Sequence, residues 1–215
     1  MKEKVLIIGA GGHARSVLDI ALENNEYEIM GCLDPVYPER TSVEHMEDIP
    51  VIGTDADMQR LYESGIKHIF IAIGSNKIRD NLLAKAIKIG FMPINIISSY
   101  ARVSPRAKLG KGICVMAGAV LSVNCKIGDN CIINTNCSLD HDCIIGKSVH
   151  IAPGVTLSGC VNVGEGTQIG TGTSVIEGMS IGSWSFVGCG SAVVSNLEDH
   201  CLAYGNPAKK IREIE

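Results

Sequence analysis

The sequence predicts two architectures in one chain: an α/β Rossmann-like unit over residues 1–96 and a parallel β-helix of hexapeptide type over residues 97–196, with a tail over 197–215. Two observations carry this reading. From Ile97 to Val193 every sixth residue is Ile, Leu or Val, seventeen times in succession, and a fixed short period marks a repeat architecture. Before Ile97, apolar runs that fit strands alternate with segments of helical period, which implies a parallel sheet.

In the first unit, Lys4–Ile8 reads as a buried strand that leads into the turn Gly9-Ala10-Gly11-Gly12. Ala14–Asn24 has helical period through Val17, Ile20 and Ala21, and Tyr27–Asp34 is a second strand ending in an acid. Residues 35–50 are polar and carry three prolines, so a loop is expected. Ala56–Ser64 reads as a helix, His68–Ile73 as a third strand stopped by Gly74, and Asn76–Ile89 as a helix ended by Gly90. Leu82, Leu83, Ala86 and Ile87 are its expected inward residues.

A six-residue unit is too short for a helix with a turn and suits a short strand with a tight corner. Glycines that follow the aliphatic, as at Ile127-Gly128 and Ile145-Gly146, relieve steric limits there. Three units close a triangular coil, so residues eighteen apart stack and the aliphatics form three internal ladders. The repeats make about five coils, roughly 25 Å at ~4.8 Å per layer. The tail carries the turn Gly205-Asn206-Pro207, and Ala208–Glu215 reads as a short helix.

Composition excludes several classes. A formal charge of −4 with interspersed signs argues against a nucleic-acid groove. No apolar run reaches the length of a membrane span, and Val5–Ile8 is too short for a signal-peptide core. A cytoplasmic protein is expected. Cys125, Cys131, Cys137 and Cys143 lie six apart, each four places after a repeat aliphatic, where other repeats carry Ala119, Val149, Thr167 or Ser185. That position asks for a small side chain, and free cysteine packs as a small hydrophobe. Zinc sites pair ligands at closer spacing, so no metal is assigned.

His141 lies two places after Leu139, which turns its side chain out of the prism, and Asp140 and Asp142 flank it. A carboxylate beside an imidazole fixes its tautomer and favours the protonated state formed in base catalysis. Together, GAGGHA at Gly9–Ala14, CLD ending at Asp34, AIGSN around Gly74, HDC at His141, VHIAPG at His150 and YGNPAKKIR in the tail resemble the hexapeptide-repeat sugar acetyltransferases. The nearest members acetylate the 4-amino group of UDP-4-amino-dideoxy sugars, with sialic acid O-acetyltransferases as sisters. The resemblance covers nearly the whole chain and implies a left-handed coil.

It also implies roles. His141 would be the general base and Asp142, where relatives often carry Glu, would raise its basicity. His150 would contact the thioester region of acetyl-CoA, the cosubstrate, and the Gly159 N–H would hold the thioester oxygen. Thr171, Gly188 and Cys189 would line the pantetheine groove, and Lys209 or Lys210 would meet coenzyme A phosphates. Gly11, Gly12 and His13 would contact a UDP-linked sugar, Asp34 and Pro35 would flank its uridine, and Gly74 would close that pocket. GAGGHA also fits a dinucleotide fingerprint, but the first unit is short for a full dinucleotide domain. A homotrimer with active sites between subunits is expected. Three rivals stand beside this reading: an O-acetyltransferase on sialic acid or another sugar hydroxyl, a zinc enzyme of the β-helical carbonic anhydrase type, which needs three histidine ligands, and a non-catalytic scaffold.

Overall fold

The computed structural model describes residues 2–214 and divides into two compact units, Met1–Ile96 and Ile97–Glu215. In the first, strands β1 (Glu3–Ile8), β2 (Tyr27–Leu33), β3 (Ser42–Val43), β4 (Met46–Gly53), β5 (His68–Ile71) and β6 (Met92–Pro93) form one sheet. Their order is β3-β4-β2-β1-β5-β6. The pairs β1/β2, β1/β5, β2/β4 and β5/β6 are parallel, and only the β3/β4 hairpin is antiparallel. Helices α1 (Gly12–Asn24), α2 (Met58–Glu63) and α3 (Asn76–Ile89) alternate with the strands.

Two expectations fail here. The stretch read as a loop holds β3 and β4. Ile49, Val51 and Gly53 alternate inward, Asp48 and Pro50 face solvent on the opposite parity, and Glu47 is exposed where the strand begins, so the polar residues belong to a strand and not a loop. In α3 the inward residues are Asn76, Arg79, Leu83 and Ala86, a stripe at helical spacing. Ile87, one residue and about 100° off that stripe, is 52% exposed.

The second unit is a coil of two-residue strands. Its ladders run as the period demands. Cys114–Val115 pairs in parallel with Ile132–Ile133, which pairs with His150–Ile151, each partner eighteen residues on. Ser138–Leu139 sits between Val120–Leu121 and Thr156–Leu157 in the same way, and Ile144–Ile145 between Lys126–Ile127 and Asn162–Val163. Three parallel sheets enclose an interior that includes Ile133, Leu139, Ile145 and Val163.

The spaced cysteines occupy the expected small interior positions, and they do more than fill space. Cys131 and Cys137 each donate a thiol hydrogen at 3.0 Å to the carbonyl fifteen residues on. Thr167 and Thr173 donate to the carbonyl at the same offset. The position takes a small side chain, apolar at Ala119 and Val149, and where that side chain carries a donor it joins the corner to the next coil. Burial pushes the Cys137 thiol up to about 11, so it keeps the proton it donates.

Corners are set by backbone. The third turn residue adopts positive φ at Asn124, Asp142, Cys160 and Gly178 on one edge of the prism, at Asn130, Ser148, Gly166 and Trp184 on the next, and at Gly118, Asn136, Gly154 and Gly172 on the last. Glycine, asparagine and aspartate tolerate this conformation best. The tail is not helical. Cys201–Gly205 and Ala208–Glu213 form an antiparallel hairpin whose first strand pairs with Phe186–Val187. Closing the exposed edge of one sheet satisfies backbone groups that an isolated short helix would leave to water.

Candidate active site

His141 is the second residue of the corner between Ser138–Leu139 and Ile144–Ile145. Its N–H donates to the Asp140 carboxylate at 2.8 Å, which fixes the turn. Its Nδ1 lies 3.0 Å from Asp142 Oδ2. The other Asp142 oxygen accepts from Asn124 Nδ2 at 3.0 Å, one coil away. Asp142 stands at φ 60°, where its short side chain serves the corner and the imidazole together. The short Asp142 side chain thus still reaches the ring.

The electrostatics follow. The hydrogen bond that His141 donates to the Asp142 carboxylate raises the His141 pKa above its ordinary value. Hydrogen bonds from Asn124 and then His141 hold the Asp142 carboxyl below the usual carboxylate range. Both side chains are close to half exposed, so the couple is worth little to stability and its effect is on orientation and tautomer.

Gly159 is eighteen residues beyond His141 and stacks on it; the Cys160 N–H donates to the His141 carbonyl at 2.9 Å. A Cβ on Gly159 would stand 2.4 Å from His141 Cε1 and 2.5 Å from Nε2. Only glycine admits the ring in this position. The Gly159 N–H has no hydrogen-bond partner among the described residues. The free imidazole nitrogen and a glycine with an uncommitted N–H therefore share one corner.

The remaining expected cosubstrate residues divide. His150 begins the strand His150–Ile151, half-buried, with Nε2 3.1 Å from Asn134 Nδ2. Thr171 and Cys189 stack on a different edge, where the Gly190 N–H donates to the Thr171 carbonyl; both are exposed, and Gly188 precedes Cys189 in that turn. The structure does not bring this edge to His141 within one chain. Lys210 pairs with Glu198 at 2.6 Å and with Glu213 at 3.4 Å, which leaves it poorly placed for a phosphate.

In the first unit, Gly11 and Gly12 open α1, and a Cβ on Gly11 would meet nothing within 4 Å. The first turn of α1 holds no acid, so its N-terminus suits an anion. A cavity of about 340 Å³ lies at the carboxyl ends of β1, β2 and β5, with Ile8, Leu33, Asp34, Pro35, Ile73 and Leu82 among its lining. A crevice at this point of an open parallel sheet, where strand order reverses, is where ligands bind. Asp34 is more committed than expected: it accepts from the Ala10 and Val36 N–H groups and from Arg40. His13 is held down to about 4 by burial and by the Arg79 charge. Arg79 in turn donates to the Gly74 carbonyl.

His141, Asp142 and Cys160 offer ligand-type atoms within 4.8 Å of one another. The set holds a single histidine, short of the three that the carbonic anhydrase reading needs. Sequence reasoning passed over Asn124, Cys160 and the cations Arg106, Lys108 and Lys126. The eighteen-residue stacking of Asn124 on Asp142, and of His141 on Gly159, is the signal that would have found the first two.

Fold and site define a hexapeptide-repeat acyltransferase. The PglD N-terminal domain family matches residues 4–86 and the bacterial transferase hexapeptide (six repeats) matches residues 124–159. Perosamine N-acetyltransferase from Caulobacter crescentus, solved as a histidine-to-asparagine variant with CoA and GDP-perosamine, is 40% identical; the match covers 98% of this chain and 97% of that one, with a TM-score of 0.92. The acetyltransferase domain of PglB from Neisseria gonorrhoeae is 36% identical over 98% of this chain and 100% of that one, also at 0.92. An uncharacterized protein of Acanthamoeba polyphaga mimivirus is 34% identical over 125 residues, 58% of this chain; the match spans about a quarter of that relative, 24%. This chain belongs to the hexapeptide-repeat sugar acetyltransferases.

Proposed function

We propose that the protein transfers the acetyl group of acetyl-CoA to the amino group of a nucleotide-linked 4-amino-dideoxy sugar, directly and without an acyl-enzyme. His141 Nε2 takes a proton from the amine as its nitrogen attacks the thioester carbonyl. The Gly159 N–H receives the developing oxyanion, which is where a fixed donor contributes most. Collapse of the tetrahedral intermediate breaks the carbon–sulfur bond, and the proton held on His141 passes to the leaving sulfur, so coenzyme A leaves as the thiol and the base is restored. Asp142, steadied by Asn124, keeps Nδ1 protonated and Nε2 free in the resting state.

One observation carries this reading: the space that a Gly159 Cβ would fill is taken by Cε1 and Nε2 of His141. The relatives support the reactants. The Caulobacter enzyme was solved with CoA and GDP-perosamine, and the Neisseria domain with acetyl coenzyme A. The UDP-linked acceptor expected from sequence therefore has a GDP-linked rival among relatives. Assays of coenzyme A release with UDP-, GDP- and CMP-linked amino sugars decide the nucleotide. In the same assay, His141→Asn should lower turnover roughly 10²–10⁴-fold; near-native turnover sinks the assignment.

The two separated edges support a trimer as the working form. A groove between copies can set the Thr171 and Cys189 edge of one chain beside the His141 edge of the next. Sedimentation that finds an active monomer overturns this. Acetyl-CoA and nucleotide sugars as reactants support a cytoplasmic location, and none of the described helices is long and apolar enough to cross a membrane.

A further inference from the structure

Cys160 is exposed, and its thiol makes no hydrogen bond or ion pair among the described residues. It holds the third turn position at φ 60°, on the edge it shares with Asn124, Asp142 and Gly178. Those neighbours are residue types that tolerate the left-handed region, and cysteine is not among them. Neither packing nor backbone accounts for a thiol here. The coil fixes its place: the Cys160 N–H donates to the His141 carbonyl at 2.9 Å, and Asp142 stands one coil, eighteen residues, before it. His141, Asp142 and Cys160 thus bring a ring nitrogen, a carboxylate oxygen and a sulfur within 4.8 Å of one another.

Imidazole, carboxylate and thiolate are the ligands that zinc takes, at about 2.0–2.3 Å. Ligands on one tetrahedral ion stand about 3.3–3.7 Å apart, so these three atoms need to close by about 1 Å at most. Rotation of exposed side chains can supply that. The second oxygen of Asp142 stays on Asn124 Nδ2, an outer partner of the kind that orients a ligating carboxylate. Asp140 and Glu177 add negative charge around the ring, offset in part by Lys126 at Asp142. Nitrogen and sulfur together select a zinc-class ion over magnesium or calcium, which prefer oxygen alone.

We propose that His141, Asp142 and Cys160 bind one zinc ion, and that the metal blocks acetyl transfer by occupying the base. Zinc on Nε2 takes the lone pair that would receive the amine proton; zinc on Nδ1 leaves the ring proton on Nε2. In either case the imidazole keeps one proton, the Cys160 thiol gives its proton to solvent, and no base remains. The block rests on His141 being the base; zinc binding does not.

Calorimetric titration of untagged, chelator-treated full-length protein with Zn²⁺ should find one site per chain. Ser148 holds the same left-handed turn at φ 56°, so Cys160→Ser keeps the corner. It should weaken zinc roughly 100-fold, since even an outer partner of a ligand is worth 10–100-fold, while Cys189→Ser should bind zinc as wild type does. Co²⁺ should give a sulfur-to-metal charge-transfer band in wild type that Cys160→Ser loses. Zinc should stop the initial release of coenzyme A, and chelator should restore it. Cys160→Ser, read against its own metal-free rate, should need correspondingly more zinc. Zinc binding unchanged in Cys160→Ser, no cobalt band in wild type, or turnover that rises with zinc overturns the proposal. Zinc bound at Cys160 without loss of turnover overturns the block where His141→Asn is inactive. Where His141→Asn keeps full turnover, that same result supports the metal site and overturns the base assignment.

Discussion

Gly159 and Gly164 are both glycines at corners of the same prism, and they are glycine for different reasons. A Cβ on Gly164 would stand 2.5 Å from the Ser183 backbone nitrogen in the next coil. Gly128 and Gly146 face the same obstacle, at 2.7 Å from Lys147 N and 2.6 Å from Glu165 N. These glycines let one layer of backbone lie on another. At Gly159 the obstacle is a side chain, the His141 ring. One edge of the prism uses its glycines for stacking and the other uses one to seat an imidazole. Sequence alone writes both with the same letter.

That contrast can be broken. Gly159→Ala should drive the imidazole from its place and lower kcat/KM roughly 10²-fold, the scale of an ångström-sized displacement at a reacting centre. Its melting temperature should stay close to wild type, because a flexible side chain can swing out to solvent. Gly164→Ala should do the reverse. Overpacking against backbone costs about 1–3 kcal/mol, read as a lower urea midpoint, while turnover per folded molecule is kept. If both variants lose stability equally and neither loses activity selectively, the distinction between the two edges is wrong.

A third measurement sharpens the chemical edge. Asp142→Asn keeps a residue that tolerates the left-handed corner but removes the charge that raises the His141 pKa. The base acts when neutral, so rate rises with pH through that pKa. In wild type the acidic limb should lie above the ordinary histidine value, and in the variant it should move to lower pH, with a drop in maximal rate of about tenfold. An unmoved limb separates Asp142 from the titrating group.

The aliphatic ladder made the prism legible because its interior admits one kind of residue at one spacing. The tail hairpin was not legible: Ala208–Glu213 has a composition that suits a helix, and its strand pairing with Cys201–Gly205 is a tertiary choice made to close a sheet edge. The strand Met46–Gly53 was obscured by Glu47, Asp48 and Pro50, all exposed to solvent. At the site, His141 and Asp142 could be read from local chemistry. Asn124 and Cys160 could not, because their meaning lies in partners eighteen residues away.

The smallest expected effect belongs to the first unit. His13, held neutral down to about pH 4 by burial and Arg79, contributes stability that is full above its unfolded pKa near 6.5. That contribution is lost as pH falls toward 4, because the unfolded chain binds the proton first. The urea midpoint of wild type should drop between pH 7 and pH 5 by more than that of His13→Asn. Equal drops assign the acid sensitivity elsewhere.

The burial of the thiols has one more consequence. Seven of the nine cysteines are enclosed, and the two exposed ones, Cys160 and Cys189, stand on the two edges that the proposed chemistry needs. A thiol-selective label added to the folded protein reads those edges and nothing else. One reporter follows Gly159 in the base's own corner and the other lies in the expected pantetheine groove, so the protein carries a built-in footprint for its acyl donor.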